Sequence, residues 1–400
     1  MNTVVNIHGN YAVWLGLLLW YSFVLAAQGQ TLTLPRNGTA RVDLRAIGYA
    51  RYQEPEVPSA SPIPIVRTQT ALELRPDFLV VYPYARLTVK PRFWAARSKA
   101  HSPPPGEWES ETDLFLNEAV LRLSLRDDLF LIGGRENLQW GPSLLLSPSN
   151  PFIAENVRED AFAEMPGIDY VRAVWVASYS VTASLIANIG EGRHDSLMEE
   201  DFRRRYAAKL DLTGAGRYAG FIGSLREDAL RRPTLGAYAG ANAGEAVVLY
   251  AEGQCPPEMD EFQALAGGSY TFWGGGMLSV EFFHNGPGMR SGNDFIPQAA
   301  EEPTMAPDVF QGSFAYPRAF FRKNYLFLQY HDTWRDLTEG TLRFTQGLDD
   351  GSHRLTGIVR HALNDYFTSF LTGHIERGST NDEFGRLVRG SVAIGLEAVY

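Results

Sequence analysis

The sequence predicts an all-β protein, a transmembrane antiparallel up-and-down β-barrel of about 18 strands. Three observations predict it: apolar and polar residues alternate along most of the chain, the connections are short and long in turn, and the last segment ends in an aromatic residue, Tyr400. Alternation with a period of two places apolar side chains on one face of a strand and polar side chains on the other. Such strands can face lipid on one side and water on the other.

Composition excludes several other classes. Of 400 residues, 45% are hydrophobic and 20% are charged, and no apolar run after the N-terminus is long enough for a transmembrane helix. A single cysteine excludes a disulfide scaffold. The net charge of −10 argues against a general nucleic-acid binder, so we expect no nucleic-acid partner.

The N-terminus has the pattern of an export signal. An apolar stretch at 11–27 is followed by polar residues at 28–30. We therefore expect a cleaved signal peptide at 1–29 and a single barrel domain at 30–400. Residues 1–10 contain no Lys or Arg, so a retained membrane anchor helix is the alternative.

Each strand is predicted from its own alternation. In the fourth, Leu121, Leu123 and Leu125 share one face, and Arg122 and Arg126 lie on the other. Tilted strands of this kind are long enough to cross a bilayer. The predicted strands are 40–53, 67–75, 78–92, 113–126, 129–139, 168–177, 180–190, 204–213, 216–226, 234–242, 246–253, 264–273, 276–285, 320–331, 339–347, 353–363, 366–378 and 386–400.

The connections alternate in length, which is typical of an outer-membrane barrel with short periplasmic turns and long outer loops. Only the link 332–338 is longer than its place requires. The short links are predicted at 76–77, 127–128, 178–179, 214–215, 243–245, 274–275 and 364–365. The long links are predicted at 54–66, 93–112, 140–167, 191–203, 227–233, 254–263, 286–319, 348–352 and 379–385.

The last strand resembles the assembly signal of bacterial outer-membrane barrels. Val392, Ile394 and Leu396 share a face that ends in the carboxy-terminal Tyr400. This predicts location in the bacterial outer membrane, with membrane lipid and the barrel-assembly machinery as partners. An even number of strands places both chain termini on the same side of the membrane, the periplasmic side.

The polar face of the first four strands is strongly basic, with few acidic companions, and Arg51 lies on it. A segregated cationic wall would attract and orient anions in a channel; the alternative is that acidic residues elsewhere neutralise it. The candidate ligand-binding residues on this face are Arg41, Arg45, Arg67, Arg75, Arg86, Lys90, Arg92, Arg122 and Arg126.

Two long links have unusual compositions. The link 140–167 is too apolar to project into water, so we expect it to fold inward and narrow the lumen; an outer lid is the alternative. It also carries an acidic run, Glu155, Glu159, Asp160 and Glu164. The link 286–319 contains aromatic residues that could stack on sugars or simply order a loop, namely Phe295, Phe310, Phe314 and Tyr316.

One stretch suggests a family. Gly134-Arg135, Trp140-Gly141-Pro142, Leu145-Leu146-Ser147 and Pro151 resemble the GR…WGP…LLS…P stretch of the Wzi-type capsule-assembly barrels. The resemblance implies an outer-membrane barrel of about 18 strands that holds acidic capsular polysaccharide, and it adds Arg135 and Trp140 to the candidate ligand-binding residues. The chain has no match to the periplasmic helical element of that family.

The leading functional prediction is a non-enzymatic barrel that binds or passes an acidic surface polysaccharide. The first alternative is a passive porin selective for small anions. The second is a barrel-embedded lipid hydrolase, for which His361 and Ser369 lie on neighbouring predicted strands. No metal-ligand spacing such as H-E-x-x-H or C-x-x-C occurs, so no cofactor or metal is predicted.

Overall fold

The computed structural model describes residues 32–56, 65–102, 106, 108–152, 162, 164–165, 167–192, 202–229, 232–257, 262–288, 320, 322–379 and 382–400. The predicted signal peptide and the four aromatic residues of 286–319 lie outside these ranges. Among the described residues, no helix is both long enough and apolar enough to cross a membrane.

The described chain consists almost entirely of β-strands. In order they are β1 (Leu32–Leu34), β2 (Gly38–Pro55), β3 (Ile65–Tyr82), β4 (Ala85–Ser102), β5 (Trp108–Arg126), β6 (Leu129–Glu136), β7 (Ile168–Ser178), β8 (Val181–Gly190), β9 (Arg205–Gly214), β10 (Arg217–Arg226), β11 (Thr234–Ala243), β12 (Val247–Cys255), β13 (Gln263–Thr271), β14 (Met277–Asn285), β15 (Asn324–Trp334), β16 (Thr338–Gly347), β17 (His353–Ala362), β18 (Phe367–Arg377) and β19 (Val388–Val399).

These strands form one closed sheet, which confirms the predicted barrel. Each strand from β2 to β18 pairs antiparallel with the next, and β19 pairs with β2, giving a ring of 18 strands. The short β1 adds to β2 at one end. Closure is completed by Tyr400, whose amide donates to Leu44 O at 2.8 Å and whose carbonyl accepts from Leu44 N at 3.0 Å. A closed sheet leaves no unpaired edge in the membrane.

The turns at one end of the barrel are short, as predicted, with one error. The link predicted at 332–338 is a short turn of three residues, 335–337, so it agrees with the alternation of short and long connections. The predicted turn at Pro76–Asp77 is wrong, because both residues lie inside β3 and the turn falls at 83–84. Proline is tolerated there because the β3–β4 ladder is interrupted between Leu74 and Phe78, and the Pro76 carbonyl accepts from Arg92 instead.

The strands β2 to β5 are longer than the rest, at 18 or 19 residues against 8 to 12 for β6 to β19. The predicted long link 93–112 is therefore mostly strand. Its residues pair across the β4–β5 hairpin, for example Arg97 with Ser110. Polar side chains lie on both faces there, with Arg97 outward and Ser98 inward, so the alternation that marks a strand in the sequence is absent.

The two faces of the sheet differ as an outer-membrane barrel requires. Outward positions carry exposed apolar side chains, such as Leu185 and Phe221, and inward positions carry buried polar ones, such as Gln69 and Glu281. Exposed aromatic residues surround the short-turn end: Tyr84, Tyr179, Trp273, Tyr366 and Tyr400. This apolar band with its aromatic rim places the protein in the bacterial outer membrane.

Candidate functional site

The lumen is crossed by the connection between β6 and β7, here called the inserted segment, which the structure describes at 137–152, 162, 164–165 and 167. Its first half is bound by Glu252, on the inner face of β12. The Glu252 carboxylate accepts hydrogen bonds from the hydroxyls of Ser147 at 2.6 Å and Ser149 at 2.7 Å, and from the hydroxyl and amide of Ser143. On β14, Glu281 accepts from the amide of Leu144 at 2.7 Å. Two buried carboxylates thus hold one polar turn of the segment.

Apolar contacts reinforce this attachment. Leu145 and Leu146 are buried in a cluster on the inner wall. Burial of two leucines contributes several kcal/mol relative to exposure, at about 1.5–3 kcal/mol for each side chain. The wall side of this cluster is formed by Tyr250, Leu265, Phe283, Tyr325 and Phe327, and Phe384 joins it from the link between β18 and β19.

The second half of the segment is bound by the opposite wall. Glu164 forms a two-pronged ion pair with Arg92 on β4, with distances of 2.6 and 2.9 Å, and lies 3.7 Å from Arg75 on β3. The Phe162 ring stacks on Tyr49 with centroids 4.0 Å apart, and its carbonyl accepts from Arg75. Because β12 is nine strands from β3 in a ring of 18, the segment spans the lumen. The predicted inward folding of 140–167 is confirmed.

This attachment corrects the prediction of a free basic wall. Besides Glu164, Arg92 binds Asp77 at 2.8 Å, and Arg75 binds Glu73 at 2.7 Å. Lys90 binds Glu118 at 2.7 Å. These cations therefore stabilise the fold. One of the carboxylates that neutralise them, Glu164, lies in the inserted segment, and the alternation of the strands does not predict that it contacts Arg75 and Arg92.

Several other candidate cations are paired or lie near the rim. Arg45 binds Glu397 at 3.0 Å. Near the short-turn end, two exposed ion pairs form between neighbours two residues apart in the sequence, Arg41 with Asp43 and Arg126 with Asp128.

Two candidate residues lie on the outer face, contrary to expectation. The register between β3 and β4 shifts on either side of Val66, and this irregularity turns Arg67 outward, where it lies over the Tyr52 ring. Arg135 alternates with Phe130 and Ile132 of the inner wall, so it faces outward, and it forms a two-pronged pair with Asp169 at 2.7 and 2.9 Å.

Arg86 and Arg122 remain as a pair of lumen cations. They are direct register partners on β4 and β5, and both are exposed to the lumen. Arg122 lies over the Phe130 ring, with its guanidinium carbon 4.1 Å from the ring centroid. Within the described ranges, neither arginine forms an ion pair with a carboxylate. Two adjacent like charges facing water form a local anion-attracting surface.

A cavity of about 210 Å³ continues this surface. It brings Arg122 together with two cations that the sequence analysis missed, Arg172 and Lys209. Trp140 lines the cavity and lies over the Lys209 ammonium, 5.1 Å from the ring centroid; Lys209 also binds Asp211 at 2.6 Å. A cation at an inward position of an alternating strand was the available signal for both missed residues.

Comparisons with known proteins identify the fold. No family model matches the chain, and no curated protein matches it. Among solved structures, OccAB3 of Acinetobacter baumannii has a TM-score of 0.57 at 8% identity, over 90% of this chain and 99% of that one. The chain has the fold of an outer-membrane porin.

Two further porin structures agree. OccAB4 of Acinetobacter baumannii has a TM-score of 0.56 at 9% identity, over 92% of this chain and 100% of that one. OccD3 (OpdP) of Pseudomonas aeruginosa has a TM-score of 0.54 at 9% identity, over 93% of each chain. Membership in the Wzi-type capsule family stays a prediction.

The residues of the GR…WGP…LLS stretch have a structural account of their own. Gly134 has φ of 127°, and a Cβ there would collide with the Ala119 carbonyl. Gly141 has φ of 91°, and a Cβ there would lie 2.7 Å from the Glu252 carboxylate. Leu145, Leu146 and Ser147 fasten the inserted segment to the wall. The stretch therefore builds the element that narrows this porin fold.

The proposed hydrolase pair is close but not arranged for nucleophilic attack. His361 and Ser369 are register partners on β17 and β18. The Ser369 hydroxyl donates to the His361 backbone carbonyl at 3.3 Å, while His361 Nδ1 bonds the Thr338 hydroxyl at 2.8 Å. A nucleophile needs its hydroxyl on the imidazole of the base. Within the described ranges, no group of His, Cys, Asp and Glu side chains is arranged to hold a metal ion.

A polar cluster joins three connections at the long-loop end. Asp350 binds Arg322 at 2.7 Å, and it accepts from the Ser352 hydroxyl at 2.8 Å and from the Glu383 amide at 2.9 Å. Burial raises the pKa of Asp350, but the Glu383 amide, Ser352 and Arg322 outweigh it, so the pKa lies below its usual value. The cluster fixes the outer mouth on the β15–β19 side.

We expect the Asp350 cluster to open only in acid. A depressed folded-state pKa means that the stabilising contribution is complete above the ordinary aspartate pKa, near 3.8, and is lost as the pH falls through the folded value. Limited proteolysis of the 348–352 connection should therefore accelerate only below about pH 3.8. Asp350→Asn should be cleaved faster than wild type at pH 7, with a flatter pH dependence; equal cleavage of both proteins at every pH would contradict this.

Proposed function

We propose that the protein is a passive diffusion channel for small anions. The observation that carries this proposal is the pair Arg86 and Arg122, adjacent on the lumen wall and without a carboxylate partner in the described residues. The fold of outer-membrane porins supports the diffusion part of the proposal. The cations support its selectivity.

The surroundings of this pair strengthen the field. The cavity beside Arg122 contains Arg172, Lys209 and Asp211, so its titratable side chains carry a net positive charge. Protein walls of low dielectric focus this field along the path, and basic side chains that line a pore favour the passage of anions. The aromatic faces of Phe130 and Trp140 flank the cations and leave the guanidinium edges free to donate to a passing anion.

The inserted segment favours small solutes. It contacts opposite walls through Glu252 and Arg92, so the free cross-section is divided and the cavity beside it is about 210 Å³. A continuous polymer would have to pass beside this segment. The binding of an acidic polysaccharide, which rested on the resemblance, is therefore favoured less than the passage of small anions.

Further partners follow from the architecture. We expect the apolar outer band to be covered by outer-membrane lipid. We also expect β19, with Tyr400 at its end, to present the signal for the barrel-assembly machinery.

Single-channel recording in a KCl gradient tests the proposal. The wild-type channel should have a reversal potential of the sign that indicates anion selectivity. The double variant Arg86→Glu with Arg122→Glu should have a reversal potential of the opposite sign, because the charge of one wall changes by four units. The matched control is Arg217→Glu with Arg335→Glu, two exposed arginines at the short-turn end, which should leave selectivity in place. A cation-selective wild type, or a double variant with the wild-type reversal potential, would overturn the proposal.

A further inference from the structure

The long strands β3, β4 and β5 carry an outward surface above the apolar band. Exposed leucines mark the top of the band, among them Leu72 and Leu114. Leu114 is the register partner of Phe93, and Arg97 follows Phe93 by four residues on the same face. At about 3.3 Å per residue, Arg97 lies about 13 Å further along the strand, which is the level of lipid headgroups at the long-loop end.

Three cations and two aromatic rings meet on this surface, here called the outer-rim patch: Arg67, Arg97, Lys99, Tyr52 and Trp108. The Arg67 guanidinium lies 5.8 Å from the Tyr52 ring centroid, and that of Arg97 lies 5.0 Å from the Trp108 centroid. Lys99 is the register partner of Thr68 on β3 and of Trp108 on β5. It therefore sits between the two cation–ring pairs.

The charges of this part of the sheet are separated by face. The acidic residues of β5 here are Glu109, Glu111 and Asp113, and their register partners Ser98, Ala96 and Trp94 lie on the inward side of β4. At this level, the outward positions described on β3, β4 and β5 include no carboxylate. The outer-rim patch thus presents three positive charges toward the membrane, against one exposed carboxylate on the same face of β2, Glu54, two residues from Tyr52.

We propose that the outer-rim patch binds the phosphate groups of an anionic lipid in the outer leaflet. Arg67 donates from Nη2 to the Tyr52 hydroxyl at 3.5 Å, and arginines held over aromatic rings keep further N–H groups available to donate to one phosphate. Tyr52 and Trp108 are amphipathic rings suited to the membrane interface. The position directly above the apolar band identifies a membrane lipid, rather than a dissolved anion, as the ligand.

Native mass spectrometry of the full-length protein in detergent tests this site. The probe is a diphosphorylated glycolipid, compared with the same glycolipid after removal of its phosphates. Wild type should retain the phosphorylated lipid at least tenfold better than the dephosphorylated one, and Arg67→Gln with Arg97→Gln and Lys99→Gln should lose this preference. The matched control replaces three exposed arginines of the short-turn end by glutamine, Arg36, Arg217 and Arg335.

Three results would overturn the assignment. They are retention of both lipids equally by wild type, retention of the preference by the triple variant, and displacement of the lipid by inorganic phosphate at equal phosphate concentration. The first comparison uses wild type alone, so it stands even if the triple variant fails to fold. Because the test measures lipid retention, its outcome is independent of the selectivity proposed for the lumen.

Discussion

Replacing Glu252 with alanine is expected to free the inserted segment from β12, raising the single-channel conductance and making the open current unsteady. The carboxylate accepts from Ser143, Ser147 and Ser149, and alanine leaves these buried donors without their acceptor. Each buried unsatisfied donor costs about 1–3 kcal/mol. From the Ser147 and Ser149 hydroxyls alone, we expect the free energy of unfolding to fall by at least about 2 kcal/mol, measured by urea titration in detergent.

The matched control for this variant is Glu245→Ala, at an exposed position in the turn before β12, which should change neither conductance nor stability. Glu252→Gln is a milder test, since its amide oxygen can still accept from one or two of the three serines. Its conductance should lie between those of wild type and Glu252→Ala. A Glu252→Ala channel with the wild-type conductance and a steady current would show that the segment does not depend on this attachment.

Replacing Arg92 with leucine is expected to cause the largest loss of stability. Its guanidinium is 1% exposed and binds Glu164, Asp77 and the Pro76 carbonyl. Removing one partner of a buried ion pair costs about 3–5 kcal/mol, since Glu164 would lose both hydrogen bonds to Arg92 and keep, among the described residues, only its 3.7 Å contact with Arg75. The measurement is again the free energy of unfolding in detergent.

An exposed ion pair provides the comparison for Arg92. Arg126 and Asp128 are 65% and 42% exposed, so Arg126→Leu should cost no more than about 1 kcal/mol. The double variant Arg92→Leu with Glu164→Leu should recover part of the loss, because it removes the stranded carboxylate. Equal losses for Arg92→Leu and Arg126→Leu would contradict the role given to the buried pair.

The strand count and barrel closure were predictable because alternation is a local property. A lipid-facing strand must repeat its pattern every two residues, and the pattern is legible wherever one face touches lipid. Above the membrane, near Arg97 and Ser110, both faces carry polar side chains, and alternation alone did not detect this part of the β4–β5 hairpin. The Pro76–Asp77 pair led to the prediction of a turn that does not exist. Proline is tolerated inside β3 because the hydrogen-bond ladder to β4 is interrupted there, and the sequence does not show this interruption.

The candidate site was predictable only in part. Arg86 and Arg122 were identified because their inward positions follow from alternation alone. Arg67 was misplaced because a shift in register changes which face a residue occupies, and the sequence carries no mark of that shift. Arg172 is the one cation of β7, and Lys209 shares β9 with Arg205, so neither strand is strongly basic. Both residues were missed because their meeting with Arg122 depends on which strands become neighbours.

The sequence by itself determined that this protein is a barrel with an apolar outside and a charged inside, and it favoured an inward course for the link after β6. Only the tertiary structure decided which charges remain available. Glu164 neutralises Arg92 from 72 residues away, and Glu252 captures the serines of the segment from across the lumen. Such pairings form only when the barrel closes and brings distant residues together, whereas alternation and apolar composition are local properties of neighbouring residues in the sequence.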